Sequence, residues 1–293
     1  MRNNARALFG FIATYLLALP LDVRAADEEY DLRGPAPIKG QIINLANKTN
    51  YKNAVRTIKS GDRAIEDRFN DVTTKERETE VLAVENGLAT RVRVKVVKDV
   101  SEETRVKGKR MARSTRPNRL DGQILFGELA KGEWKYTLDD ITPTPEQKRA
   151  LKEFQPFRGE DELLPKGKVK IGHTWQIGTP EFKKVLGSQF RELDAKGTGK
   201  LLRIEKEGEE HVAVLEIDFE LTGKSDDDGL AMDIKIAAKN IIHRSLKTGY
   251  DIKGTGTGKL AIKGKGEIDG QKIEMEFTAD VADEETVKVK SAR

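Results

Sequence analysis

The three histidines are the side chains that most often bind metals or transfer protons at neutral pH. His173, His211 and His243 are far apart, and no pair has the H-x-H or H-x-x-x-H spacing typical of zinc ligands. The chain has no cysteine, which excludes disulfides, thiol catalysis, cysteine-ligated metals and a lipid-modified cysteine. The sequence therefore predicts neither a metal site nor a cofactor.

Two other motifs resemble ion-binding loops but lack a required residue. Residues 197–201 (G-T-G-K-L) recur as residues 256–260, yet a phosphate loop needs Ser or Thr after the lysine and a helix behind it. Leucine follows both lysines, so we interpret the pair as a degenerate duplication of a hairpin unit. In the acidic run 226–229 (D-D-D-G), Lys224 occupies the first calcium-ligand position, which favours a solvated hairpin tip.

Hydrolytic chemistry has no local signature, since the chain lacks a G-x-S-x-G elbow. Carboxylates for hydrolysis can be assembled from distant parts of a chain, so a hydrolase is left as an alternative. We predict no catalytic residue and expect a non-catalytic protein.

A basic cluster occupies residues 105–119, where seven basic side chains occur without an acidic one. Such a cluster is a candidate site for an anionic polymer, such as an acidic glycan or lipopolysaccharide phosphate. It has no interleaved aromatic residue on which bases would stack, so nucleic acid is not an expected partner. The alternative is a solvated loop between two strands. The residues are Arg105, Lys107, Lys109, Arg110, Arg113, Arg116 and Arg119.

The first 25 residues have the form of an export signal. Arg2 and Arg6 precede an apolar run at 7–21, and Val23-Arg24-Ala25 is a small-x-small cleavage site. We expect cleavage near Ala25 and a periplasmic or extracellular protein, with an uncleaved anchor as the alternative. No other stretch predicts a transmembrane segment. The net charge of +4 gives no general attraction to nucleic acid or membrane.

Period-two alternation predicts β-strands through most of the chain. Apolar and polar residues alternate over residues 230–236 and 272–281, as in strands of an antiparallel sheet with one wet face. Asn86-Gly87, Gly249 and Asp269-Gly270 are typical hairpin turns. Over residues 212–221 the alternation changes parity, which predicts a bulge near Leu215 or a strand covered on both faces.

Two short helices and a hairpin are also expected. Thr144, Pro145 and Gln147 form a capping box before a helix that ends at Pro156, and a second helix would run from Thr179 to Gly187. The hairpin covers residues 120–138, with core candidates Ile124, Phe126 and Trp134.

The entry to the C-terminal region resembles a motif of exported, β-rich proteins of planctomycetes and related bacteria. Pro165 is followed by Val169-x-x-Gly172-x-x-Trp175, and the turn at residues 246–249 (L-K-T-G) fits the same pattern. The resemblance implies export, a β-rich first half and a C-terminal β-meander, and it supplies no catalytic residue. Gly172 would permit a turn, and Trp175 would anchor the first strand.

These patterns predict a mainly β, antiparallel protein: a large curved sheet or half-barrel with one or two short packed helices, or two β-rich units. The expected divisions are a signal peptide (1–25), a flexible leader (26–37), a β-rich unit (38–140), a helix and linker (141–165) and a β-meander (166–293). We expect the sheet to bind a lipid or other apolar ligand, an envelope polymer or a protein partner.

Overall fold

The computed structural model describes residues 28–107, 110–152, 154, 157–186, 190–227, 230–268 and 270–290. The predicted export signal, residues 26–27 of the leader and Lys109 lie outside these ranges. Side chains are described for all of these residues except those at positions 106, 107, 110, 111, 227 and 268.

The described chain consists of long strands and three short helical segments. No helix within these ranges has the length and apolar character needed to cross a bilayer. In chain order the elements are β1 (Ile42–Ser60), β2 (Arg63–Glu85), β3 (Leu88–Lys107), β4 (Arg110–Pro117), β5 (Ile124–Ala130), β6 (Glu133–Leu138), α1 (Pro145–Lys152), a 3₁₀ helix (Gly159–Leu163), β7 (Thr174–Gly178), α2 (Thr179–Leu186), β8 (Glu192–Glu207), β9 (Glu210–Asp227), β10 (Leu230–Ser245), β11 (Asp251–Ile268) and β12 (Gln271–Lys290).

The twelve described strands form a single antiparallel sheet that is not closed. Its order is β6-β5-β3-β2-β1-β12-β11-β10-β9-β8-β7, and β4 pairs with the far end of β3. The two β-rich parts predicted from the sequence share this sheet, because β1 pairs with β12 from Ile42↔Lys290 to Ser60↔Ile273. The expectation of a large antiparallel sheet with short packed helices is confirmed.

Side chains alternate between two faces, which we call inner and outer. The inner face carries the helices: Phe219 of β9 packs against Phe182 of α2, with ring centroids 5.3 Å apart. The register connects Phe219 through Ala238 and Gly258 to Val281 of β12. The apolar residues of the alternating strands predicted at 230–236 and 272–281 lie on this inner face, and the charged residues between them are exposed on the outer face.

The helix and hairpin predictions are largely confirmed. Thr144 and Gln147 form the reciprocal capping box, with hydrogen bonds of 3.0 and 3.2 Å. Helix α1 covers Pro145–Lys152, and its Leu151 packs in the core beside β5 and β6. The predicted helix ends at Pro156 and Gly187 lie outside the described residues. The core positions of β5 were predicted with the wrong parity, because Leu125 is fully buried while Ile124 and Phe126 are half-buried.

The parity change in β9 arises because both faces of the strand are covered there, which was the alternative prediction. The bulge lies on the neighbouring strand, where Leu202 is the extra residue of β8 between Leu201↔Leu215 and Arg203↔Val214. Strand β9 pairs with β10 without a shift, and residues 212–215 are fully buried on both faces. The preferred prediction of a bulge in β9 itself is therefore wrong.

Trp175 is packed against a glycine of the neighbouring strand. Its indole Nε1 donates a 2.8 Å hydrogen bond to the carbonyl oxygen of Leu163. A Cβ atom added at Gly199 would lie 2.1 Å from Cε2 of the indole. Gly199 belongs to the first G-T-G-K-L motif, so packing accounts for a glycine there.

We predict that Gly199→Ala lowers the free energy of unfolding by about 1–3 kcal/mol, because the added methyl group displaces the indole. Gly254→Ala is the matched control, since its methyl group would meet only Cβ of Glu285, at 3.8 Å. Urea unfolding monitored by circular dichroism measures both variants. Equal midpoints for the two variants would contradict this packing.

Candidate ligand-binding face

An arginine clamp fixes the N-terminal segment and the 3₁₀ helix to one end of the inner face. The fully buried Arg244 of β10 donates hydrogen bonds to Asp161, to Asp251 at 2.6 Å and to the carbonyl oxygen of Leu32. Burial lowers the pKa of Arg244, but Asp251 and Asp161 more than reverse this, so its pKa lies above the ordinary value. We use the name arginine clamp for Arg158, Asp161, Arg244 and Asp251.

Arg158 extends the clamp to the neighbouring backbone. Its guanidinium pairs with Asp161 at 2.7 Å and donates to the carbonyl oxygens of Arg33 at 2.7 Å and Pro35 at 3.0 Å. Beside Arg158 the backbones at Gly34 and Gly249 come close together, and both glycines have a positive φ. A Cβ on Gly34 would lie 2.4 Å from Cα of Gly249, so a side chain there would prevent this contact. This contact gives a physical reason for the glycine of the predicted L-K-T-G turn.

The motif at the entry to the C-terminal region fastens the same segment. Val169 pairs with Tyr30 through two backbone hydrogen bonds of 2.9 Å, and the carbonyl oxygen of Pro165 accepts from Arg33. Gly172 has a φ of 84°, and its N–H donates to Leu201 at 2.8 Å. Pro165, Val169, Gly172 and Trp175 thus occupy structural positions beside the clamp.

An apolar strip occupies the other end of the inner face, on β10, β11 and β12. Its members are half-buried, and cross-strand pairs such as Ile234↔Ile262 and Ile262↔Phe277 align them. Only Ile236 joins the cluster beneath α2, and only Phe277 packs with Phe69; the others join no core cluster of the described residues. The strip comprises Met232, Ile234, Ile236, Leu260, Ile262, Ile273, Met275 and Phe277.

A polar belt, formed by Asn47, Thr49, Asp71, Lys75 and Asp283, crosses the inner face between the strip and the clamp. Asp283 of β12 accepts hydrogen bonds from Asn47 at 3.0 Å and Thr49 at 2.5 Å, both on β1. Burial lowers the pKa of Lys75 on β2, whose ammonium has no hydrogen bond or ion pair with a described residue. Burial raises the pKa of Asp71, and its Oδ1 is buried without a described partner.

Two carboxyl groups next to the belt have strongly raised pKa values. Burial raises the pKa of Glu160 in the 3₁₀ helix to about 7, and the clamp's aspartates add to the effect. Burial also raises the pKa of Glu285 on β12 to about 8, with further contributions from the negative charges of Glu160 and Asp251. Burial therefore favours the neutral form of both groups.

A concavity of about 510 Å³ is lined by three neighbouring cross-strand rows of β9 to β12. Two rows belong to the outer face: Glu220↔Ala237↔Lys259↔Asp280 and Thr222↔Lys235↔Ala261↔Thr278. The third, Leu221↔Ile236↔Leu260↔Ala279, belongs to the inner face and includes Ile236 and Leu260 of the strip. Neither Glu160 nor Glu285 lines this concavity, so the two carboxyl groups with raised pKa values lie outside it.

Residues 105–107 and 110–117 of the segment predicted as a loop belong to the paired strands β3 and β4, and Arg119 follows β4 in a turn. Arg105 pairs with Glu103 and with Asp67, the latter at 3.4 Å. Arg113, Arg116 and Arg119 are exposed. The backbone of Lys107 pairs with that of Arg110. Arg113 and Arg116 are three residues apart on β4, so they lie on opposite faces of the hairpin.

One cluster of potential metal ligands was missed by the sequence reasoning. His173 stacks on Trp175, with ring centroids 6.3 Å apart, and His211 is exposed. His243, however, lies on the outer face beside Glu205 and Glu207. No spacing rule reveals this group, because β9 separates the two contributing strands.

No protein-family model and no curated protein matches the chain. Among solved structures it is similar to lipovitellin, in a study of lipid–protein interactions, with 9% identity over 87% of this chain and a TM-score of 0.38. The chain spans 26% of the length of that structure. It is also similar to an outer membrane channel from Pseudomonas putida F1 (9% identity, 87% of this chain, 97% of that chain, TM-score 0.22). It is similar as well to Salmonella typhi OmpF in complex with daunomycin, with 8% identity over 90% of this chain and 100% of that chain and a TM-score of 0.19. Likenesses this distant identify neither a family nor an activity.

We predict that stability falls as the pH rises from about 5 to about 8. The folded-state pKa of Glu285, about 8, lies above its ordinary value of 4.5. Between these values the unfolded chain has released a proton that the folded chain retains, so the free energy of unfolding decreases with rising pH. Glu285→Gln removes this contribution, so the fall becomes smaller and the Tm above pH 8 increases by a few degrees.

Thermal unfolding between about pH 5 and pH 9 measures the effect. Glu284→Gln is the matched control, because the neighbouring Glu284 is exposed. A pH profile of Glu285→Gln that coincides with that of the wild type would contradict the assignment.

Proposed function

We propose that this protein is an exported, non-catalytic β protein of the cell envelope or secreted fraction that binds the acyl chain of a lipid along the apolar strip. The observation that carries the proposal is the half-buried strip itself. Its side chains are aligned across three strands, and none of the described helices covers most of them. Contiguous apolar surface of this kind usually marks a binding site.

The dimensions of the inner face suit an acyl chain. Strands rise about 3.4 Å per residue, so the strip residues of β12, Ile273 to Phe277, extend for about 14 Å, and the inner face stays apolar as far as Val281, about 27 Å from Ile273. One leaflet of a bilayer contributes about 15 Å of hydrocarbon, half of the roughly 30 Å core. A single lipid tail therefore fits along β12 with both of its sides in contact with neighbouring strands.

The polar belt favours an amphiphile over a purely apolar molecule. Beyond Val281 the inner face changes to Asp283 and Glu285, with Asn47 and Thr49 beside them on β1. The ammonium of Lys75 and Oδ1 of Asp71 lack partners among the described residues. A lipid headgroup would supply partners at this boundary while its tail lies on the strip.

The test is binding of a fluorescent fatty acid to delipidated protein. We expect saturable binding by the wild type, and at least tenfold weaker binding by the double variant Ile234→Gln/Ile262→Gln. These two residues are cross-strand partners in the strip. Each lost apolar contact is worth about 1–2 kcal/mol, and about 1.4 kcal/mol corresponds to tenfold in Kd.

The matched control is Lys235→Gln/Lys263→Gln, which changes the adjacent residues on the outer face. It should bind as the wild type does. Absence of saturable binding by the wild type, or full binding by Ile234→Gln/Ile262→Gln, would refute the proposal and favour a protein partner for the strip.

A second candidate function is binding of an anionic envelope polymer by the β3–β4 hairpin, favoured by the exposed Arg113, Arg116 and Arg119. We predict that changing Arg110, Arg113 and Arg116 to glutamine lowers the salt concentration needed for elution from immobilised heparin. The control removes equal charge from β10 and β11 through Lys235→Gln, Lys259→Gln and Lys263→Gln. Equal elution of both triple variants would exclude a specific role for the hairpin.

A hydrolase remains the alternative to a binding protein, and Glu160 and Glu285 are the carboxyl groups that favour it. Their raised pKa values, about 7 and about 8, suit an acid or base near neutral pH. Neither residue lines the 510 Å³ concavity on β9 to β12, and Glu160 belongs to the 3₁₀ helix held by the arginine clamp. The lipid-binding proposal therefore takes precedence.

A further inference from the structure

Three potential metal ligands converge on the outer face, away from the apolar strip. Glu205 and Glu207 lie two residues apart on β8, and His243 lies on β10. Their ligand atoms are all within 4.8 Å of one another. We propose that these three side chains bind a divalent transition-metal ion.

The distances match a shared cation better than direct hydrogen bonds. Nδ1 of His243 is 3.6 Å from Oε2 of Glu205 and 3.6 Å from Oε1 of Glu207. These separations exceed the usual hydrogen-bond range of about 2.7–3.2 Å. Tetrahedral zinc with nitrogen and oxygen ligands at about 2.0–2.2 Å separates those ligands by about 3.3–3.6 Å.

The imidazole supplies an observation independent of the carboxylates. Nδ1 of His243 is buried and has no hydrogen-bond partner within the described part of the chain. The side chain as a whole is 18% exposed. Buried polar atoms normally have a partner, and a metal ion between the imidazole and the two carboxylates would satisfy this one.

The sheet holds the three ligands in place from both sides of β9. The bulge at Leu202 places Arg203, Glu205 and Glu207 on the outer face, where Arg203↔Val214 and Val214↔His243 continue the row across β9. Arg203 donates a 2.6 Å hydrogen bond to Oε1 of Glu205. This bond leaves Oε2, the atom nearest His243, available for the metal, as second-shell partners do in metal sites.

The ligand set indicates the class of metal. One imidazole nitrogen with two carboxylates suits zinc, cobalt or manganese, whereas calcium and magnesium prefer oxygen ligands alone. The side chain of Glu207 is 50% exposed, so a fourth position would face solvent and accept water or an external ligand.

The experiment is calorimetric titration of the untagged full chain with Zn²⁺ at about pH 7.5, after treatment with a chelator and dialysis. We expect one ion per chain, with at least tenfold weaker binding by His243→Gln and by Glu207→Gln. His211→Gln is the matched control, because His211 is exposed and lies outside the cluster, and it should retain wild-type affinity. Loading with Co²⁺ should give the visible absorption of a tetrahedral site in the wild type and in His211→Gln, but not in His243→Gln or Glu207→Gln.

Two results would overturn the proposal: no saturable binding by the wild type, or binding by Glu207→Gln that equals the wild type. If His243→Gln fails to fold, Glu207→Gln alone tests the proposal, because the half-exposed side chain of Glu207 can be changed with little effect on packing. Circular dichroism establishes that each variant keeps the β-sheet.

Discussion

The buried guanidinium of Arg244 is the interaction on which the covered end of the sheet depends. A buried charge is costly unless it is paired and fully hydrogen-bonded. Arg244 meets this condition through two aspartates and the carbonyl oxygen of Leu32, which come from three distant parts of the chain. Loss of either aspartate would weaken the compensation of the buried charge, and loss of the Leu32 carbonyl would leave the Nε–H of Arg244 without its acceptor, so all three segments contribute to stability at this end of β10.

The covering supplied by the clamp is partial, and this gives the inner face two different ends. Leu32, Leu164 and Val169 close the interior over β8 and β9 near the clamp. The other end of β10, β11 and β12 keeps its apolar side chains half-buried. A sheet that buries one end of a face and leaves the other open can keep an exposed apolar surface rigid, because the covered end supplies the stability.

Local patterns predicted much of the fold. The capping box at Thr144, the Asn86-Gly87 turn and the alternation in β10 and β12 depend on neighbours in sequence, and the structure contains all of them. The parity error in β5 arose because both sets of alternating residues there are largely apolar, so pattern alone did not identify Leu125 as the core residue. The bulge was assigned to β9 because the change of apolar parity there arises from burial of both faces of residues 212–215, which the sequence of one strand does not distinguish from a bulge.

The sites were harder to predict, because their residues come from distant segments. Arg244 and Asp161 are 83 residues apart in sequence, and no spacing rule joins them. His243 meets Glu205 across an intervening strand, and the raised pKa of Glu285 arises from burial in the assembled sheet. The strip itself was implied by the alternation, but which part of it the helices leave open depends on tertiary packing.

The pairing of β1 with β12 also has a kinetic consequence. These strands are the first and last of the sheet, and their register joins Ile42 to Lys290. Contacts between the two ends of a chain carry the largest loop-closure entropy and slow folding. The central ladder cannot form until β12 has been synthesised, so β1 keeps one edge unpaired until then. A chain with this topology completes its sheet late, and the open edge of β1 is the part of the nascent chain most exposed to pairing with other strands.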